Sequence, residues 1–100
     1  MKKVIIVLCF LALSCADKKE ISQVVDASCG QCQFGMKSQQ GCDLAVKING
    51  KSYFVDGTKI DDHGDAHNKT NGFCEVVRKA KVTGKIVDNR FVASSFKMVK

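Results

Sequence analysis

Four cysteines spaced Cys29-x2-Cys32-x9-Cys42-x31-Cys74 constrain this chain more than any other feature. A domain of this size has a thin core for its surface, and a covalent or metal staple offsets that deficit. The spacing suits three chemistries. Four thiolates can hold a metal ion in a tetrahedron, two pairs can close as disulfides, and Cys29-Gly30-Gln31-Cys32 has the spacing of a dithiol redox pair. The compartment is the first discriminator among them, and the N-terminus bears on it.

Met1-Lys2-Lys3 is followed by the apolar run VIIVLCFLAL, then by Ser14-Cys15 and the polar stretch Ala16-Asp17-Lys18-Lys19-Glu20. A positive n-region, an apolar h-region and a small residue before the cut describe an export signal. The run has about half the ~20 residues that span a bilayer, too few for a retained transmembrane anchor. LALSC resembles a lipobox, in which Cys15 carries the lipid and becomes the first mature residue, although Ala12 stands where a larger aliphatic is usual. The expectation is a bacterial lipoprotein of the cell envelope, facing the periplasm or the cell surface. Its parts are a signal peptide over 1–14, a lipid-anchored polar tether over 15–24 and one folded domain over 25–100. Cys9 leaves with the leader and Cys15 is consumed by lipid, so Cys29, Cys32, Cys42 and Cys74 remain as an even set. Outside the cytoplasm such a set favours disulfides, with three pairings open. Of 16 basic residues two leave with the leader, and the remaining 14 against 10 acidic ones give +4. That is too mild to imply a nucleic-acid partner.

The chain has no proline, so its turns fall to Gly, Asn and Asp. Ile21 to Ala27 contains a β-branched run and reads as a first strand. Residues 44–48 and 51–55 flank Asn49-Gly50, the strongest two-residue hairpin signal. A loop rich in Asp, His and Gly follows. Phe73, Val76, Val77 and Ala80 then recur at i, i+3, i+4 and i+7, which predicts a helix over 73–80 capped by Asn71. Residues 81–87 and 90–99 around Asp88-Asn89 predict a second hairpin. The order strand, strand, strand, helix, strand, strand is that of an OB-like five-stranded barrel with one short helix between strands 3 and 4, mainly β in class. Gly84 in mid-strand suits the bend a small barrel needs. The competing architecture is an open α+β sheet with the helix on one face.

With Cys29-x2-Cys32, Cys42, the hairpin through Gly50-Lys51-Ser52-Tyr53-Phe54, His67, Cys74 and the strand Val82-Thr83-Gly84 in view, residues 27–99 resemble a family of small, exported, cysteine-containing bacterial proteins of uncharacterised function. The resemblance implies an exported small β-domain and brings no substrate.

The residues themselves support a non-enzymatic binding or interaction module whose four cysteines are disulfide candidates. The alternative is a zinc or copper site made of Cys29, Cys32, Cys42 and Cys74 with His67, and with His63 as a further donor in His63-Gly64-Asp65-Ala66-His67. Against the histidines, they lie on a polar loop beside Asp61, Asp62 and Asp65, where an imidazole is ordinarily solvated. The acidic spacing does not match an EF-hand loop. A thiol oxidoreductase using Cys29 and Cys32 is a third reading. It needs the first cysteine at a helix N-terminus, whereas residues 30–41 read as loop. Single-strand nucleic-acid binding wants exposed aromatics among basic residues. Tyr53, Phe54, Phe91 and Phe96 are the only strand aromatics, and the phenylalanines read as core, so no nucleic acid is expected. A protein or small-molecule partner stays open beside the membrane.

Overall fold

The computed structural model describes residues 19–99. The leader, Cys9 and the lipidation candidate Cys15 lie outside the described residues. Five strands carry the fold: β1 (Ile21–Cys29), β2 (Leu44–Ile48), β3 (Lys51–Asp56), β4 (Arg78–Val87) and β5 (Arg90–Met98). A one-turn helix, α1 (Gly30–Gln33), follows β1, and a 3-10 turn, Ile60–His63, lies between β3 and β4. Among the described residues no helix is long and apolar enough to cross a membrane.

The strands close in the order β1-β2-β3-β5-β4, the OB-like barrel that the strand order implies. β1 pairs with β2 through its second half and with β4 along most of its length. The short parallel contact of Val55 with Phe91 and Asp56 with Val92 completes the circle, and closure leaves no long unpaired edge. Ile21–Val24, at the junction of tether and strand in the sequence, are paired strand opposite Lys81–Gly84.

Alternation sets the interior. Val25, Ala27 and Cys29 of β1, Leu44, Val46 and Ile48 of β2, Ala80 and Val82 of β4 and Phe91 of β5 form one buried cluster. Ile60, Ala66 and Phe73 from the long β3–β4 connection join the same cluster. Phe73 and Phe91 are the largest fully buried side chains, each worth about 1.5–3 kcal/mol of transfer free energy. Both hairpin turns use left-handed backbone, with Asn49 at φ 52° and Gly50 at 84°, and Asp88 at 51° and Asn89 at 66°. The β4–β5 register shifts at Thr83/Gly84. There a side chain on Gly84 would meet the Val92 carbonyl oxygen and, at 2.8 Å, the Phe91 ring, so glycine lets the two strands bend into the barrel wall.

The helix expected over 73–80 does not form. Glu75 and Val76 donate to the Gly72 carbonyl in a tight turn, and from Arg78 the chain is β4. The cause is tertiary. Ser28 Oγ lies 2.6 Å from the Phe73 carbonyl and 2.7 Å from that of Val76, two acceptors the helix would have needed. Ala80 gains strand partners on both sides, Val25 and Met98. A helix of two turns has little intrinsic stability to set against this. The helical turn between β3 and β4 falls instead at Ile60–His63, where Lys59 N donates to Asp62 Oδ2 at 2.9 Å.

Candidate metal centre

β1 carries Cys29 into the end of the barrel, where it is fully buried. The chain then coils into α1 while Gly30 N donates to Asp43 O at 2.8 Å, pinching the β1–β2 loop at its neck. A larger residue would crowd this neck, because a Cβ on Gly30 would meet Met36 Sδ and the Phe54 ring at 2.7 Å each. Cys29 is therefore the N-cap of a helical turn, in a segment that reads as loop from sequence. The Cys32 amide donates back to Cys29 Sγ at 3.4 Å. Cys42 returns at the end of the same loop.

Cys74 comes from the β3–β4 connection, and bonds that do not involve sulfur hold it in place. Cys29 N donates to Phe73 O at 3.1 Å and Cys74 N to Ala66 O at 2.9 Å. Gln33 Nε2 donates to Cys74 O at 2.8 Å. With Ser28 these contacts join the two cysteine-bearing segments.

The four Sγ atoms all lie within 4.8 Å of one another. Cys42 Sγ is 2.7 Å from Cys29 Sγ and 2.7 Å from Cys74 Sγ. A disulfide is about 2.05 Å long and joins sulfurs in exclusive pairs. Here the thiols are free and Cys42 is shared equally between two neighbours. Four thiolates about 2.3 Å from a zinc ion stand roughly 3.8 Å apart, a spacing between the 2.7 Å contacts of Cys42 and the 4.8 Å outer limit of the group. An iron–sulfur cluster would spread its ligands further. The cysteines could hold a metal.

Electrostatics inside the cage is self-opposing. Burial pushes the Cys29 thiol up, but hydrogen bonds from Cys42, from the Cys32 side chain and from the Cys32 and Gln31 amides outweigh it, and its pKa lies below the ordinary value. The hydrogen bond to Cys29, with burial and the neighbouring sulfur charges, drives Cys32 up to about 11. Burial, ahead of its bonds to Cys29 and Cys74, carries Cys42 well above its ordinary range. The thiolate is favoured at Cys29 and opposed at Cys32 and Cys42. A central cation is what allows several thiolates to coexist.

The two histidines do not join the thiols. His67 is exposed, and its backbone amide donates to Asp65 Oδ1 at 2.9 Å. The His63 ring is half-buried, its centroid 4.6 Å from that of Phe96 and 6.2 Å from that of Phe73, with Nε2 2.9 Å from Thr58 Oγ1. Burial lowers its pKa, Asp62 raises it and Arg78 lowers it again. Sequence reasoning missed a polar brace around the cage. Asp43 Oδ2 accepts from Gln31 Nε2 at 2.8 Å and from Gln39 Nε2 at 2.7 Å, while Gln31 Oε1 accepts from Asp43 N at 2.9 Å. Gln31 Oε1 also faces the Cys29 thiol at 3.7 Å. The available signal was position, since Gln31 adjoins Cys32 and Asp43 adjoins Cys42. Arg90 extends the brace to the barrel, contacting Gln39 Oε1 at 3.2 Å and gripping Asp56 with two nitrogens.

A known protein-family model matches residues 23–99, which takes in all four cysteines and nearly the whole barrel. The chain belongs to DUF6370, a family of unknown function. No curated protein and no solved structure matches it significantly. In this DUF6370 domain the thiol cage and its brace therefore lie wholly inside the part that defines the family.

Proposed function

We propose that this DUF6370 domain is a non-enzymatic metal-binding module that holds one thiophilic ion, zinc or copper(I), on Cys29, Cys32, Cys42 and Cys74. The observation that carries the reading is the convergence of four sulfurs on one point, with Cys42 equidistant from Cys29 and Cys74. Soft thiolate donors select these ions over magnesium or calcium. The ligand set is four cysteines, with His67 and His63 outside it. The two segments that supply them are already joined by backbone bonds, so the ion completes a largely formed site and clamps the β3–β4 connection to the end of β1.

The N-terminal pattern Lys2-Lys3, apolar run and Leu13-Ser14-Cys15 supports export and attachment to the bacterial cell envelope through lipid on Cys15. In that setting the domain binds its ion close to a membrane, where a protein or small-molecule partner can reach the exposed Cys32 side of the cage.

Elemental analysis of the full chain, purified without reductant or added metal, tests the reading. One equivalent of zinc or copper is expected in the wild type and in His67→Ala, and none in Cys42→Ser. Metal-free wild-type protein in which Cys29, Cys32, Cys42 and Cys74 are all unreactive would instead establish a disulfide framework, the second reading, which the expected oxidising compartment favours.

A further inference from the structure

The outer wall of the barrel across β2, β1, β4 and β5 is charged in a way that folding does not require. In one row Lys47 and Lys79 flank Asp26, and the Lys79 ammonium is bonded to the Asp26 carboxylate. In the next row Lys81 lies directly opposite Lys97 across the antiparallel β4–β5 pair. Like charges placed opposite each other oppose strand pairing. The four lysines against one aspartate leave a net charge of +3 on this outer wall, which wraps around four of the five strands, with Lys79, Lys81 and Lys97 together on the β4–β5 side. Acids gather elsewhere, at Asp43 and through the loop carrying Asp61, Asp62 and Asp65, where Lys59 and Lys69 offset them in part. Val24, opposite Lys81, stands amid the lysines with 52% of its surface exposed.

We infer that this wall is a docking surface for an anionic lipid bilayer. Lysines gather beside acidic headgroups, and an exposed valine among them suits an interface that is charged outside and apolar beneath. A nucleic-acid groove wants several aromatics on which bases stack, and the rows centred on Asp26 and Lys81 adjoin Phe34, whose ring lies 5.0 Å from the Lys47 ammonium. The location fits as well. With the lipid anchor proposed at Cys15, six residues lead to the start of β1, which limits the barrel to about 20 Å from the membrane. The charge argument stands apart from the metal reading and does not depend on it.

The test uses the full chain and vesicles of phosphatidylcholine with and without phosphatidylglycerol. The apolar N-terminal segment contributes equally to every variant, so the readout is the preference for anionic over neutral vesicles, measured by flotation at low and at high salt. The wild type is expected to prefer anionic vesicles and to lose that preference in salt. Lys81→Gln with Lys97→Gln is expected to lower the preference about 25-fold, roughly fivefold per lysine. Lys37→Gln with Lys69→Gln, on exposed loops away from the wall, is expected to leave it unchanged, with circular dichroism confirming that both doubles fold. An equal loss in the two doubles, or no anionic preference in the wild type, overturns the proposal. Displacement from vesicles by a single-stranded oligonucleotide that binds the wild type but not the Lys81/Lys97 double would assign the wall to nucleic acid and overturn it equally.

Discussion

Between β4 and β5 the ladder runs from Ala80 opposite Met98 to Val87 opposite Arg90, and beneath it Ala80, Val82 and Phe91 are shut away from water. At the cysteine end the chain from Gly57 to Val77 contains one 3-10 turn and no strand. It is held by Phe73, Ile60 and Ala66 dipping into the core, by Ser28 beneath two carbonyls, and by a cage of thiols. One region is stabilised by burying area, the other by a few directional contacts. The difference locates the proposed ion's work: it fastens a long connection whose own secondary structure is slight to the end of the barrel.

The largest expected effect breaks the first region. Phe91→Ala removes a fully buried ring and should cost about 3–5 kcal/mol in urea unfolding, with the whole barrel melting together. A loss below about 1 kcal/mol would mean that the hairpin is not the stability centre. Ser28→Ala sharpens the contrast. It removes the hydroxyl shared by the Phe73 and Val76 carbonyls, leaving Phe73 O with Cys29 N alone, and should cost about 1–3 kcal/mol. Amide exchange should accelerate through residues 57–77 before β4 and β5, and uniform acceleration would erase the distinction between the regions.

The smallest expected effect is a pH dependence confined to the cysteine end. Burial keeps the His63 pKa below its ordinary value, with Asp62 and Arg78 facing it as opposing charges. The unfolded chain therefore takes up a proton at a pH where the folded chain does not. Stability is full above about pH 6.5, the ordinary histidine value, and declines as pH falls below it. Thermal melting between pH 8 and 5 should show this decline in the wild type and a weaker one in His63→Phe, which keeps a ring against Phe96. Identical profiles would remove His63 from the account.

The barrel was legible because its signals are local. Asn49-Gly50 and Asp88-Asn89 sit at turns that need left-handed backbone, and the alternation of buried and exposed positions along β4 marks the inner face. The stripe Phe73, Val76, Val77, Ala80 misled for the opposite reason. Its fate depends on Ser28, 45 residues before Phe73 in the chain, and on the pairing of Ala80 with Val25 and Met98. The four cysteines were legible as a set, but not that the histidines stay apart from them. Nearness in sequence put His67 beside Cys74, whereas the turn from Asn68 to Gly72 leaves its ring exposed. The Gln31–Asp43–Gln39 brace offered only adjacency to Cys32 and Cys42 as a signal, and a weak one, since amide side chains near cysteines occur in many loops.

The most direct test of the thiol cage is native mass spectrometry of the full chain purified without reductant, before and after thiol alkylation. The account predicts a mass carrying one zinc or copper ion, with Cys29, Cys32, Cys42 and Cys74 protected from alkylation until a chelator is added. A metal-free mass short by two hydrogens for each of two bridges, with those cysteines unreactive even after chelation, would contradict it.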